Sequence, residues 1–351
     1  MEKIDNQELA RIITEASRRI RTLYGKWMVI TYENMGDTEL DALAQDIVFL
    51  AEIGVGPVVV HSGWIDNILL RMRARDKVPR FIDGMLVMDA GAMEVVEEAF
   101  GEESMRMEAA IRRNGGLPLM MNTRRDGFVI TATKEKMRVS GGREGVSELD
   151  IGMTGKVKEV YTQAIVDKIK IHKPSGLFPR PFPVPIITPI GVGVENLVDE
   201  GEIYRLDSRL AASAVASMMG VQEFVTLTDA QGVIDAEGRV IPLIDVGALR
   251  QLIKTDCPSP ITKTIFTHLR ACLSAGGTAH IIDARQEHAL LLAMLTNRGF
   301  GTTIVDAHQF ICPQCKGPME GKTELMKAYR GPLMLQELIC VLCGYGKLIN
   351  I

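Results

Sequence analysis

The sequence predicts an α/β protein: a three-layer α/β/α sandwich around a mainly parallel sheet, followed by a small cysteine-bearing appendage. Two observations carry this. From Trp27 to Val305, short apolar runs that suit buried strands alternate with stretches of helical periodicity, the pattern of a sheet covered on both faces. From His308 to Ile351 the alternation stops, and these 44 residues carry four of the chain's six cysteines.

The elements follow in order. Asp5 to Tyr24 reads as an amphipathic helix, because Leu9, Ile12, Ile13, Ala16, Ile20 and Leu23 share one face. Asp5 is its expected cap, with Glu8 three residues on. Packing on its own domain and an oligomerisation arm are both open to this helix. Trp27–Tyr32 and Pro57–His61 read as buried strands with a helix, Thr38–Gly54, between them. Leu117–Met121 and Phe128–Thr133 read as strands, paired as a hairpin around Asp126-Gly127. Six prolines in Lys173–Gly191 exclude a regular helix and mark a crossover loop into the strand Pro185–Ile187. Beyond it, Arg209–Met219, Thr262–Ala275 and Glu287–Leu295 read as helices. Phe224–Leu227, Ala279–Asp283 and Thr302–Val305 read as strands.

The 351 residues suffice for one large domain or two smaller ones. With 46% hydrophobic and 24% charged residues and a net charge of −4, nothing draws the chain to nucleic acid or anionic lipid. No apolar run approaches the ~18 residues that a membrane span needs. Polar residues interrupt every apolar run in Met1–Lys26, so the sequence predicts no leader and a reducing, cytoplasmic setting. Nineteen methionines read as core filler.

In such a setting two C-x-x-C pairs, Cys312/Cys315 and Cys340/Cys343, point to metal rather than disulfides. Each pair is soon followed by a glycine, Gly317 and Gly344, as in a zinc ribbon. Four thiolates close a tetrahedral site, which suits structural zinc. A rubredoxin-like iron site and two redox dithiols are the competing readings.

Six phrases, in order, resemble the amino-acid kinase family and acetylglutamate kinase in particular. They are VGPVVVH at Val55–His61, FIDGMLVMDAGAMEVVE at Phe81–Glu97, PIITPIG at Pro185–Gly191, LTDAQGVID at Leu227–Asp235, HIIDARQEHALLLAMLT at His280–Thr296 and GFGTTIV at Gly299–Val305. The resemblance implies the amino-acid kinase fold over residues 25–307, preceded by the helix of residues 1–24 and followed by a zinc-ribbon-like segment at 308–351. The amino-acid substrate would sit on an N-lobe of about 25–183, and ATP with magnesium on a C-lobe of about 184–307. It also implies a homo-oligomer, a dimer at least and a hexameric ring if the first helix links dimers.

The departures from that family concern its chemistry. Thr31 stands where the family's first strand ends in lysine, and Glu33-Asn34 where two glycines approach the transferred phosphoryl group. A carboxylate there repels phosphate, and both side chains obstruct close backbone approach. The second glycine-rich turn reads His61-Ser62-Gly63-Trp64-Ile65, so a tryptophan would fill the pocket. Leu86 stands at the substrate-clamping arginine and Met88 at its threonine; leucine cannot grip a carboxylate as a guanidinium does. Arg209 stands where an aspartate orients the lysines. On the nucleotide side Thr228, Asp229 and Gly232 keep the family's strand end and turn, and Lys263 lies beside the family's second lysine. Pro258-Ser259-Pro260 replaces the residues before it. The resemblance therefore implies a retained fold, no kinase-type catalytic residues, a nucleotide site, and a ligand-binding, regulatory or assembly-forming role. Its alternatives are an active carboxylate kinase with a rebuilt site, or a partner of a separately encoded enzyme.

Overall fold

The computed structural model describes residues 5–33, 35–62, 65–82, 85–121, 129–141, 145–172, 181–194, 201–235, 237–254, 277–296, 300–305, 319–328, 331–340 and 346–350, with backbone alone at 138–141, 145–147, 254 and from 319 on.

Eight strands form the main sheet. They are β1 (Trp27–Tyr32), β2 (Gly56–His61), β5 (Pro118–Met121), β8 (Val184–Ile187), β11 (Glu223–Thr228), β12 (Leu243–Asp245), β13 (Thr278–Asp283) and β14 (Thr302–Val305). Their order is β12-β14-β13-β11-β1-β2-β8-β5. Every neighbouring pair runs parallel except β13 and β14. Alternation along β1 assigns its faces. Met28, Ile30 and Tyr32 pack with α2 (Asp37–Glu52), while Val29 packs with α6 (Ser208–Met219). Val58 and Val60 of β2 join Val29 on the α6 side, so α6 rests Ala211, Ala212, Val215 and Ala216 on the sheet. These small side chains let the helix axis lie close to the strands.

Around the rim, β6 (Ile130–Gly141), β7 (Gly145–Val160), β9 (Ile190–Gly193) and β10 (Ile203–Arg205) close a small barrel. The expected hairpin between Leu117–Met121 and Phe128–Thr133 does not form. β5 pairs with β8 in the main sheet and β6 pairs with β7 and β9 in the barrel. The two runs are adjacent in sequence but satisfy their backbones in different sheets.

Helix α1 (Asn6–Leu23) matches the expected span, but Asp5 does not cap it through its side chain. The Asp5 carbonyl accepts from Leu9 N–H at 2.9 Å, and Glu8 binds Arg11 instead. Arg19 Nε donates to Met294 O at 3.2 Å in α8 (Ala289–Leu295), anchoring the helix's C-terminal half. The expected helix Thr262–Ala275 lies outside the described residues.

In the C-terminal segment β15 (Met319–Ala328), β16 (Gly331–Cys340) and β17 (Gly346–Asn350) form a three-stranded antiparallel sheet. β16 ends at Cys340, in register with Met319. Cys312, Cys315 and Cys343 lie outside the described residues.

Candidate functional site

In an open parallel sheet the crevice lies outside the carboxyl ends of the strands. Here those ends are Glu33 after β1, Ser62 after β2, Thr188 after β8, Thr228-Asp229 at β11 and Ala284 after β13. The α6 N-terminus faces the same crevice. Asp207 caps it, its carboxylate accepting from Arg209 N–H at 3.0 Å and Leu210 N–H at 3.1 Å.

Arg209 and Glu33 meet across this opening. Arg209 Nε lies 3.1 Å from Glu33 Oε1 and 3.9 Å from Asp207 Oδ1. Burial raises the Glu33 carboxyl above the usual range, with Arg209 opposing and Asp207 and Asp229 reinforcing the rise. Thr31 lies one alternation back, on the face of β1 that Val29 and Glu33 share. It is fully buried, and its hydroxyl has no hydrogen-bond partner among the described residues.

Arg205 enters from the barrel rim. Its backbone pairs with Ile190 of β9 and Thr154 of β7. Burial lowers its basicity, Asp207 being the countering charge, and its Nε has no hydrogen-bond partner among the described residues. The hydroxyl of Thr154, buried beside it, has none either.

Leu86 is buried. It belongs to a core cluster with Ile68, Met72, Met88 and Met93. Met88 forms a bridge with Gly152, whose φ of +82° and close approach leave no room for a side chain. On the opposite side of the crevice, Thr228 Oγ1 donates to Asp229 Oδ1 at 3.2 Å, and Thr228 O accepts from Ala284 N–H at 2.7 Å. Arg285 grips Asp283 at 2.8 and 2.7 Å. Gly232 packs against the Thr302 hydroxyl, which a Cβ would approach to 2.7 Å. Its φ is +140°, in the region that favours glycine. Asn34, Trp64 and Lys263 lie outside the described residues.

Behind the crevice are contacts the sequence did not announce. His61 Nε2 lies 2.7 Å from Ser104 Oγ, which lies 3.2 Å from Thr188 Oγ1. Burial holds the His61 pKa down to about 4, so the ring is neutral. Tyr32 donates to Glu103 at 2.8 Å, and burial beside that carboxylate raises the phenol well above its ordinary range. Strand alternation could have put His61 and Tyr32 on the same face; their partners on α4 (Ala90–Arg113) were not readable.

The amino acid kinase family matches residues 25–257, and the chain belongs to that family. Its relatives include the acetylglutamate kinases. The chain is 33% identical over 321 residues to the acetylglutamate kinase of Chromohalobacter salexigens, an overlap covering 88% of this chain and 98% of that protein. It is 34% identical over 308 residues to that of Chromobacterium violaceum, covering 86% and 98%. Among solved structures, N-acetylglutamate synthase of Neisseria gonorrhoeae with coenzyme A and N-acetyl-glutamate has a TM-score of 0.68 at 20% identity, covering 85% of this chain and 63% of that one. Carbamate kinase of Giardia lamblia bound to AMP-PNP has a TM-score of 0.54 at 13% identity, covering 80% and 99%. At these identities the likenesses show the shared fold. Among the described residues no helix is long and apolar enough to cross a membrane.

Proposed function

We propose that this acetylglutamate-kinase-like chain has lost kinase chemistry and works as a ligand-binding, regulatory or assembly-forming subunit. The observation behind this reading is the Glu33–Arg209 pair across the crevice. Phosphoryl transfer depends on preorganised positive charge and close backbone donors around the moving group. In this crevice a carboxylate follows β1, and the strand end offers Thr31. Leu86 is committed to a core. A coupled ADP-release assay with acetylglutamate and Mg-ATP tests the reading, and no turnover is expected. Turnover of about 1 s⁻¹ or more, abolished in Arg209→Gln, would establish a rebuilt kinase site instead.

Nucleotide would sit beside Thr228 and Asp229, with Lys263 as its cation and Gly232 shaping the turn. The tail would hold structural zinc through Cys312, Cys315, Cys340 and Cys343. The antiparallel pairing that sets Cys340 beside Met319, four residues beyond Cys315, supports that ligand set. A cytoplasmic homo-oligomer, dimer or hexamer, and a separately encoded enzyme partner complete the proposal.

A further inference from the structure

We propose that Asp46 of α2 and His288 at the start of α8 form a pH-sensitive latch, closed at mildly acidic pH and loosened at alkaline pH, that sets how firmly α8 and helix α1 are seated. This goes beyond the reading of the crevice and does not depend on it.

The latch joins elements far apart in sequence. α2 follows β1 and α8 follows β13, and β11 lies between those two strands. The Asp46 side chain is 1% exposed, in the middle of α2. A buried carboxylate is costly unless its oxygens are satisfied. Here both are: Oδ1 accepts from His288 Nδ1 at 2.7 Å, and Oδ2 accepts from Leu291 N–H at 3.3 Å. His288 gives its own helix no side-chain cap. Asp46 therefore supplies, from α2, the acceptor that the first turn of α8 needs. His288 itself is left-handed, with φ 55° and ψ 28°, a conformation that a non-glycine residue keeps where its surroundings hold it.

Imidazole changes charge between about pH 5 and 8. With its second proton, His288 sets a cation against the buried carboxylate. Without it, Asp46 keeps its hydrogen bonds but stands charged with no cation beside it. Burial raises the Asp46 carboxyl above its usual range, with His288 and the α8 amides opposing the rise. The contribution of such a carboxyl is lost as pH rises, so the latch weakens on the alkaline side. The other charges around it are engaged. Glu287 lies 3.9 Å from His288 Nε2. Asp41 of α2 is held by Arg113 of α4 at 2.9 Å, Asp283 by Arg285 at 2.7 Å, and Glu15 of α1 by Arg11 at 3.8 Å.

His280 and Glu223, 2.9 Å apart, are the comparable pair. Lys26 stands 3.6 Å from that carboxylate, and Arg19 acts on it too. Burial pushes Glu223 up, but His280 and these cations outweigh it and hold the carboxyl below its usual range. Glu223 keeps a cation across neutral pH, and Asp46 does not. α8 in turn carries α1. Arg19 Nε donates to Met294 O at 3.2 Å, and Ala16, Ile20 and Leu23 share a core cluster with Leu290, Met294 and Leu295. Loosening the first turn of α8 loosens the seat of α1.

The test is hydrogen exchange of the full chain at pH 6.0 and pH 8.5, read by mass spectrometry over α8 and residues 16–23 and corrected for the intrinsic effect of pH. In wild type, protection of both segments is expected to fall roughly fivefold or more between the two pH values. Asp46→Asn keeps an acceptor and removes the buried charge. It should flatten the difference and raise protection at pH 8.5 above wild type, a gain that a misfolded variant would not give. His288→Gln keeps a neutral donor and should give the lower protection at both pH values. Equal protection at both pH values in wild type, or an unchanged drop in Asp46→Asn and His288→Gln, would overturn the latch. A drop confined to α8, with residues 16–23 unmoved, would overturn its hold on α1.

Discussion

Arg209 Nε lies 3.1 Å from Glu33 Oε1, joining the second residue of α6 to the residue that follows β1. The pair is lopsided. Desolvation of Glu33 outweighs the attraction of Arg209, since the carboxyl is raised on balance.

Glu33→Gln is therefore expected to leave the melting temperature at pH 7 unchanged or higher. For a carboxyl whose folded pKa is raised, its contribution is fully present below the unfolded value and is lost as pH rises through the folded one. Glutamine removes that loss. Arg209→Gln should instead lower the melting temperature at pH 7, leaving Glu33 without its nearest cation. Melts of both variants from pH 4.5 to 8 check the order; a large drop for Glu33→Gln would contradict it.

His61 has the opposite sign. Its folded pKa of about 4 lies below the ordinary 6.5 because the ring is buried. Its contribution is present above pH 6.5 and is lost as pH falls toward 4. The full loss is about 3 kcal/mol, with roughly 2 kcal/mol gone by pH 5. Urea titrations at pH 7 and pH 5 should show this drop in wild type, and His61→Gln should flatten it.

The Met88–Gly152 bridge sets a steric test. A Cβ on Gly152 would lie 2.1 Å from Met88 O and 2.6 Å from its carbonyl carbon. Those are backbone atoms in a bridged pair, so they cannot swing aside. Gly152→Ala is expected to cost about 3 kcal/mol or more, strain and displacement together. Gly115 is the control: φ is +83° and nothing stands within 4 Å, so Gly115→Ala should cost only about 1 kcal/mol. Denaturant midpoints of the two variants decide it.

The sheet was legible because its strands are buried on both faces and read as unbroken apolar runs; Thr302–Val305 was found at its observed bounds. The barrel was not. β7 carries Glu148, Asp150, Lys156 and Lys158 among its apolar residues, and its edges are satisfied by partners far away in sequence. Leu86 shows what one chain of letters omits. Its replacement of an arginine was visible, but its place in a core with Ile68 and Met93 depends on packing between distant elements. The burial of Arg205 follows from the pairing of β10 with β7 and β9, which no local pattern encodes.

The tail offers a compositional test. Freshly purified protein is expected to carry one zinc per chain by elemental analysis. Cys315→Ser should release it, because three thiolates leave an open, weaker site, while the melt of the main domain stays put. Protein free of both zinc and iron would remove the ribbon reading.

The last prediction concerns assembly. Helix α1 is anchored at its C-terminal half, where Leu23 is buried, Ala16 and Ile20 pack on the core, and Arg19 binds α8. Its N-terminal half shows Leu9 at 46% and Ile13 at 58% exposure on that same apolar face. A helix held so firmly at one end presents these side chains in a fixed direction, and apolar area set out in that way gains by being covered. Light scattering at micromolar concentration is expected to give at least a dimer for the full chain. Leu9→Glu with Ile13→Glu keeps the anchor and should reduce any assembly larger than a dimer. Deleting residues 1–24 should do the same but also lower the melting temperature, because it strips Leu23 and Arg19 from the core. A larger assembly that survived both changes would place the ring contact elsewhere, and a monomeric full chain would end the oligomer reading altogether.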